Sequence, residues 1–347
     1  MKKILFVFLT FITLISCSKE DPVVEEKVEE KNDLFSKKAR VVGYLPTYRF
    51  SQNDKIEYCK LTHLNIAFAN PESDGTILLP NNSSGITLEN IMSTAKSKNN
   101  EIKIFISLAG GGIGSPILEI WKKFLGNPQD RTILVNKIIS FVSDNNLDGV
   151  DVDLEWEAVT QGYSDFVIEL KSALTSKGKG MTAAFPGETK FDNITDEALQ
   201  TFDFINIMAY DYTGPWNPSS AGQHSSYNHA NQSINFWKNS VGISADKLVL
   251  GVPFYGYDFS DVTKTTAVTF SSMVGLKNSN ADIDNVGFKY YNGRPTIRSK
   301  VQLASTEVGG IMIWEIGQDS FSEYSLLKTV HKEFDKLGIK TTELCKE

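Results

Sequence analysis

Eight short apolar runs recur along this chain, at 41–46, 63–69, 102–108, 149–155, 181–185, 204–210, 248–254 and 310–314. Each has a strand's length and is too short for a buried helix. The segments 87–98, 131–145, 163–176, 196–201, 231–240, 296–306 and 322–337 carry apolar residues at helical spacing, several of them opened by Ser, Thr or Asn. Strands alternating with helices predict repeated βα units and a parallel sheet. Eight such units in the roughly 300 residues from Arg40 onward fit an α/β fold of the (β/α)8 TIM-barrel type better than a doubly wound sheet. The doubly wound alternative also needs a phosphate-binding loop. Gly110, Gly111, Gly112 and Gly114 follow the third run, but Ser115 stands where the fingerprint requires its last glycine, so these residues read as a tight loop near a ligand.

The fourth run, Leu147-Asp148-Gly149-Val150-Asp151-Val152-Asp153-Leu154-Glu155-Trp156, is unusual for a strand. Alternation puts Asp151, Asp153 and Glu155 on one face and Val150, Val152 and Leu154 on the other. Carboxylates about 6.5–7 Å apart at Cα cannot all ionise cheaply in a poorly solvated place, so at least one pKa should rise and a proton should be shared among them. A solvated acidic edge would not carry Val, Val, Leu and Trp between its charges. A calcium loop would use Gly, Asn and Ser spacing rather than β-formers. In a barrel the C-terminal strand ends carry function, and about 13 Å of strand rise sets Asp151 deeper than Glu155. Asp148, out of phase with the ladder, reads as structural.

Other strand ends deliver aromatic rings beside carboxylates: Met208-Ala209-Tyr210-Asp211 on the sixth, Pro253-Phe254-Tyr255-Gly256 on the seventh and Trp314-Glu315 on the eighth. Rings that stack on C–H faces next to hydrogen-bonding groups suit a sugar.

The first residues, Met1-Lys2-Lys3 and the mostly apolar stretch 4–15, read as an export signal too short to span a bilayer. Leu14-Ile15-Ser16-Cys17 resembles a bacterial lipobox, which would make Cys17 the lipid-carrying first residue of the mature chain. Ser18-Lys19-Glu20-Asp21 resembles a signal that sends some bacterial lipoproteins to the outer face of the outer membrane; without it the anchor would face the periplasm. Residues 18–39, rich in Glu and Lys, read as a flexible tether, and 40–341 as the barrel. The net charge of −7 gives no reason to expect nucleic acid. The four histidines, His63, His224, His229 and His331, lack ligand spacing, so no metal is expected, and no other cofactor. With Cys17 lipidated, Cys59 and Cys345 remain. A barrel makes first and last helices neighbours, so pairing is geometrically open, as is an unpaired structural Cys59. A monomer is the default expectation.

On these residues the chain resembles glycoside hydrolase family 18 of the chitinase type. Asp148, Asp151, Asp153 and Glu155 match the family's D-x-x-D-x-D-x-E signature, and Trp156-Glu157 matches what commonly follows. Gly43-Tyr44, Phe68-Ala69, Met208-Ala209-Tyr210-Asp211, 251–256 and Trp314-Glu315 are similar in order, over roughly 40–337. Two positions depart: Ala109 replaces a glycine of the third-strand S-x-G-G block, and Ala158-Val159 replaces a common Tyr-Pro. About fifty residues separate the seventh and eighth strands, fewer than in members with a large inserted lobe, which implies a shallower cleft.

The resemblance implies retaining, substrate-assisted cleavage of β-1,4-linked N-acetylglucosamine chains. Glu155 would be the acid and base, Asp153 would orient the 2-acetamido group, and Asp151 would share a proton with Asp153. It further implies sugar contacts from Tyr210, Asp211, Met208, Phe68 and Trp314, the last as a floor, with Trp216 and Tyr44 at outer subsites. An endo-β-N-acetylglucosaminidase acting on N-glycans would use the same chemistry. A non-catalytic, lectin-like barrel is the alternative from another class, although such proteins usually lack the acid that Glu155 supplies here.

Overall fold

The computed structural model describes residues 38–261 and 263–342. The signal-like segment, Cys17, the tether up to residue 37 and Cys345 lie outside them.

Eight parallel strands form the central sheet: β1 (Arg40–Pro46), β2 (His63–Pro71), β3 (Lys103–Ala109), β4 (Gly149–Asp153), β5 (Gly180–Pro186), β6 (Phe204–Met208), β7 (Leu248–Pro253) and β8 (Gly310–Trp314). Each pairs with its sequence neighbours. β8 pairs with β1 from Arg40↔Gly310 to Gly43↔Ile313, which closes the barrel. The expected (β/α)8 architecture is what the chain forms.

Val, Ile and Leu on the outward faces pack under the helices, with Trp121, Phe166 and Trp237 among the largest fully buried side chains. The inward faces form a second, smaller apolar group that includes Val42, Phe204, Val249 and Met312. Helix starts follow local chemistry. Thr87 caps Leu88–Lys98 with a reciprocal Asn90 bond, and Asn127 accepts from the Gln129 and Asp130 amides ahead of Pro128–Asp144.

The sequence reading did not include the helical turn Thr47–Lys55, the short strand Ile77–Leu78 or two larger elements. Ser115–Gly126 is helical, beginning with Pro116 in its first turn where the glycine run pointed to loop. The insertion between β7 and β8 folds into a four-stranded antiparallel sheet led by Tyr255–Asp258, with the helix Phe270–Leu276. Its strands are two to four residues long, too short to show a period. Cys59 is disulfide-bonded, and Thr342 donates to the Cys59 carbonyl at 2.5 Å. No helix among the described residues is long and apolar enough to cross a membrane.

Candidate active site

The acid ladder enters the barrel as its alternation requires. Asp151 is fully buried, Asp153 is 3% exposed, and Glu155 is partly exposed just beyond the end of β4, in extended backbone that continues the alternation. Asp148 points elsewhere. It meets Lys96 at 3.1 Å and Lys103 at 3.5 Å, and accepts from the Ile104 amide at 2.9 Å, tying the base of β4 to β3.

Asp151 is surrounded by donors. Tyr44 Oη and Ser107 Oγ reach Oδ2 at 2.7 Å each, while Thr182 Oγ1 at 2.6 Å and Asn206 Nδ2 at 3.3 Å reach Oδ1. A carboxylate has about four acceptor sites, and all are filled. Burial pushes its pKa above the ordinary carboxyl value, and the four bonds offset only part of that rise.

Asp153 is the opposite case. Its Oδ1 is buried with no hydrogen-bond partner. Burial, then the charges of Glu155 and Asp151, hold its pKa well above the ordinary carboxyl range. Both buried acids are thus pushed above the ordinary carboxyl range, Asp151 with its acceptor sites filled by hydroxyls and an amide and Asp153 with one left open.

Burial raises Glu155 to about 7, with Asp211 adding to the rise and a hydrogen bond from the Trp156 side chain opposing it. Gly111 lies against this carboxyl: a Cβ there would stand 2.8 Å from Glu155 Oε1. Gly110 is equally constrained, since a Cβ would meet the Phe68 ring at 2.4 Å. The glycine run is thus a tight loop against the acid. Ala109 adopts φ +70, Trp156 φ +48 and Asp211 φ +64, so three of the non-glycine residues with left-handed backbone flank the mouth. Such conformations cost about 1 kcal/mol or more each and persist where surrounding structure imposes them.

Trp314 stacks on Phe68 with centroids 5.4 Å apart, and Tyr44 meets it edge-on at 5.6 Å. Tyr210 stands over the ladder with its hydroxyl toward Met312 Sδ at 3.8 Å, and Met208 packs in the same group. Trp216 is 59% exposed, edge-on to Tyr257 at 6.0 Å. Tyr44 is a correction. At 1% exposure, with its hydroxyl on Asp151, it cannot line an outer subsite and is part of the floor beneath the acids.

Asp211 is gripped from the insertion. Its Oδ1 accepts from Tyr255 Oη at 2.5 Å and Tyr257 Oη at 3.0 Å, and lies 3.2 Å from His224 Nδ1. The sequence reading missed this grip, together with Ser107, Thr182 and Asn206. The last three had a usable signal, being polar residues in the inward phase of otherwise apolar strands. His224 and Tyr257 had none, because contacts far apart in sequence bring them together. His229 stacks flat on Tyr212 at 3.8 Å, and His63 is half-buried between Phe105 and Phe204, where desolvation and then the charges of Arg40 and Lys103 drive its pKa down to about 3.

The family model of glycosyl hydrolases family 18 matches residues 40–319, well over half of the chain. The chain belongs to this family. Among solved structures, a GH18 chitinase, ChiB, from the chitin utilization locus of Flavobacterium johnsoniae is 50% identical, with a TM-score of 0.86, over 89% of this chain and 98% of that one. A chitinase from Bacteroides thetaiotaomicron is 30% identical, with a TM-score of 0.73, over 87% and 98%. Chitinase-3-like protein 2 of Homo sapiens is 25% identical over 80% of this chain and 86% of that protein. Probable chitinase 10 of Drosophila melanogaster is 26% identical over 67% of this chain, which spans only 13% of the fly protein. These similarities place the chain among the chitinase-type glycoside hydrolases of family 18. Three of its four signature acids enter the barrel mouth and the fourth, Asp148, braces the base of the strand.

Proposed function

We propose that this family 18 protein hydrolyses β-1,4-linked N-acetylglucosamine oligomers or polymers, with the substrate's own acetamido group as nucleophile. One observation carries the reading: a carboxyl held protonated to about 7 stands above a buried acid whose Oδ1 has no partner. A glycosidase with a protein nucleophile needs a second free carboxylate across the bond. Here the other acid at the mouth, Asp211, is held by two tyrosines and a histidine.

In this reading Glu155 gives its proton to the glycosidic oxygen as the C1–O bond breaks. The acetamido carbonyl oxygen bonds to C1 and leaves a cyclic oxazolinium ion. Asp153 Oδ1 takes its missing hydrogen bond from the acetamido N–H, which orients the carbonyl oxygen for attack on C1. Glu155, now a carboxylate, draws a proton from water as that water attacks C1 and the bond from C1 to the acetamido oxygen breaks, returning the sugar with retained configuration. Trp314 and Phe68 supply the apolar surface under the sugar ring, Tyr210 and Met208 its wall, and Trp216 an outer contact. The 50% identical relative being a chitinase supports the substrate class.

The domain from Arg40 onward, incubated with chitooligosaccharides and separately with an N-glycoprotein, tests this against Glu155→Gln. Cleavage of the oligosaccharides by the wild type, lost by on the order of 10³-fold in Glu155→Gln, is expected. Cleavage of the glycoprotein alone would assign endo-β-N-acetylglucosaminidase action instead. Binding without cleavage would assign a lectin.

The proposal extends to attachment through a lipid on Cys17. The described chain begins at Lys38, bridged to Lys340 at the start of β1, on the barrel face opposite the mouth. Palmitate labelling of the full chain, absent in Cys17→Ala, is expected; equal labelling of both would sink the anchor.

A further inference from the structure

Lys300 lies on the helix Arg294–Glu307, which packs against β7 and β8, and it is fully buried. Its Nζ donates to Ser225 O at 2.8 Å, to Ser225 Oγ at 2.7 Å and to Asn292 Oδ1 at 2.7 Å. None of the three can return a hydrogen. Two are carbonyl oxygens, and the one hydrogen of the Ser225 hydroxyl goes to the Ala209 carbonyl at 2.6 Å. Three acceptors call for three N–H bonds, so the cage is built for the ammonium. Burial works against that charge, bringing the pKa down to about 7, while Asp284 of the insertion favours it. A caged, buried cation is expensive to maintain, and the reaction above gives it no chemical part.

What the cage holds is the tripeptide Gln223-His224-Ser225. Gln223 Nε2 donates to Asp284 O at 2.7 Å and Tyr291 O at 2.8 Å, both in the insertion. His224 faces Asp211 Oδ1 through Nδ1 and the Tyr255 carbonyl through Nε2, at 3.3 Å, and its own carbonyl accepts from the Tyr212 amide at 3.1 Å. Ser225 holds Ala209, the residue before Tyr210, and accepts at its carbonyl from Asn292 Nδ2 at 2.9 Å. One ammonium outside the barrel wall thus terminates a set of bonds that ends on Ala209, next to Tyr210, and on Asp211.

We propose that Lys300 is a positioning residue for the site: by holding Ser225 it fixes the 223–225 tripeptide and, through Ala209 and His224, sets Tyr210 and Asp211 beside Glu155. This deepens the reading given above and rests on it. The charged and titratable groups facing the assembly are Asp284, Tyr255 and Tyr257 from the insertion, Asp211 from the loop after β6, His229 from the helix that follows, and His224 itself.

Lys300→Met and wild type, as full chains, would be compared by hydrogen–deuterium exchange and by kcat, KM and pH profile on chitooligosaccharides. Exchange should rise across 209–225 and stay unchanged in β1 to β4. The value of kcat/KM should fall about 10- to 100-fold, chiefly in kcat, as for a misplaced site. The alkaline limb should move to lower pH, because the charge of Asp211, which helps keep Glu155 protonated, is no longer set beside it. If Lys300→Met does not fold, Ser225→Ala, which cuts the link to Ala209, carries the same readouts. Unchanged exchange at 209–225, a loosening spread evenly over the barrel, or reduced activity with a wild-type pH profile would each overturn the proposal. A wild type that cleaves no sugar would sink the proposed function, and exchange would still decide what Lys300 holds.

Discussion

Asp151 and Asp153 are the same residue on the same face of one strand, two positions apart, yet their surroundings are opposite. Asp151 has a donor on every acceptor site; Asp153 has a buried oxygen with none. Buried polar atoms are almost always paired, so the floor of the barrel is complete and its mouth has a bond left to make. The difference separates a group that builds the site from one that waits for substrate.

Removing the two side chains should separate these roles most strongly. Asp153→Ala should lower kcat by roughly 10²-fold, as the loss of a contact that orients the reacting group does, and leave the melting temperature near that of wild type. Asp151→Ala strands Tyr44, Ser107, Thr182 and Asn206, and should cost about 3–5 kcal/mol in denaturant unfolding. Equal stability losses in the two variants would erase the distinction.

Glu155 sharpens the comparison through pH. Its carboxyl is neutral in the folded protein up to about 7 but ionises near 4.5 when unfolded. The folded state therefore holds the extra proton between these values, and wild-type stability falls as pH rises from about 4.5 to about 7. Glu155→Gln lacks that loss. Its advantage in thermal melts should be absent below pH 4.5 and grow to on the order of 3 kcal/mol, at most, by pH 7.

Smaller effects should come from the loop after β3. Gly111→Ala must displace the Glu155 carboxyl, since the added carbon would stand 2.8 Å from Oε1. A fall in kcat of roughly tenfold with little change in KM is expected, because a misplaced acid acts on the transition state. Ala109→Gly relieves a left-handed backbone at φ +70, offset by glycine's added freedom when unfolded. Its effect on unfolding should lie within about 1 kcal/mol of zero.

The barrel was legible because its strands and helices carry periods the eye can count, and the ladder because alternation exposes three acids on one face. Ser107, Thr182 and Asn206 sit in the inward phase of predicted strands and were readable in principle. Tyr44 was misplaced since an aromatic at a strand end can face outward over the rim or inward beneath it, and only packing decides. The grip of Tyr255, Tyr257 and His224 on Asp211 was not legible. It depends on an insertion whose strands are too short for periodicity and on residues 13 to 46 positions from their partner.

The central claim is that the substrate's acetamido group attacks C1 while Glu155 supplies the proton. Proton NMR of fresh digests of chitotetraose and of its fully N-deacetylated counterpart tests it directly. The account predicts the β-anomer as first product from the acetylated oligomer and no cleavage of the deacetylated one. An α-anomer at first appearance, or comparable cleavage of both oligomers, would contradict it.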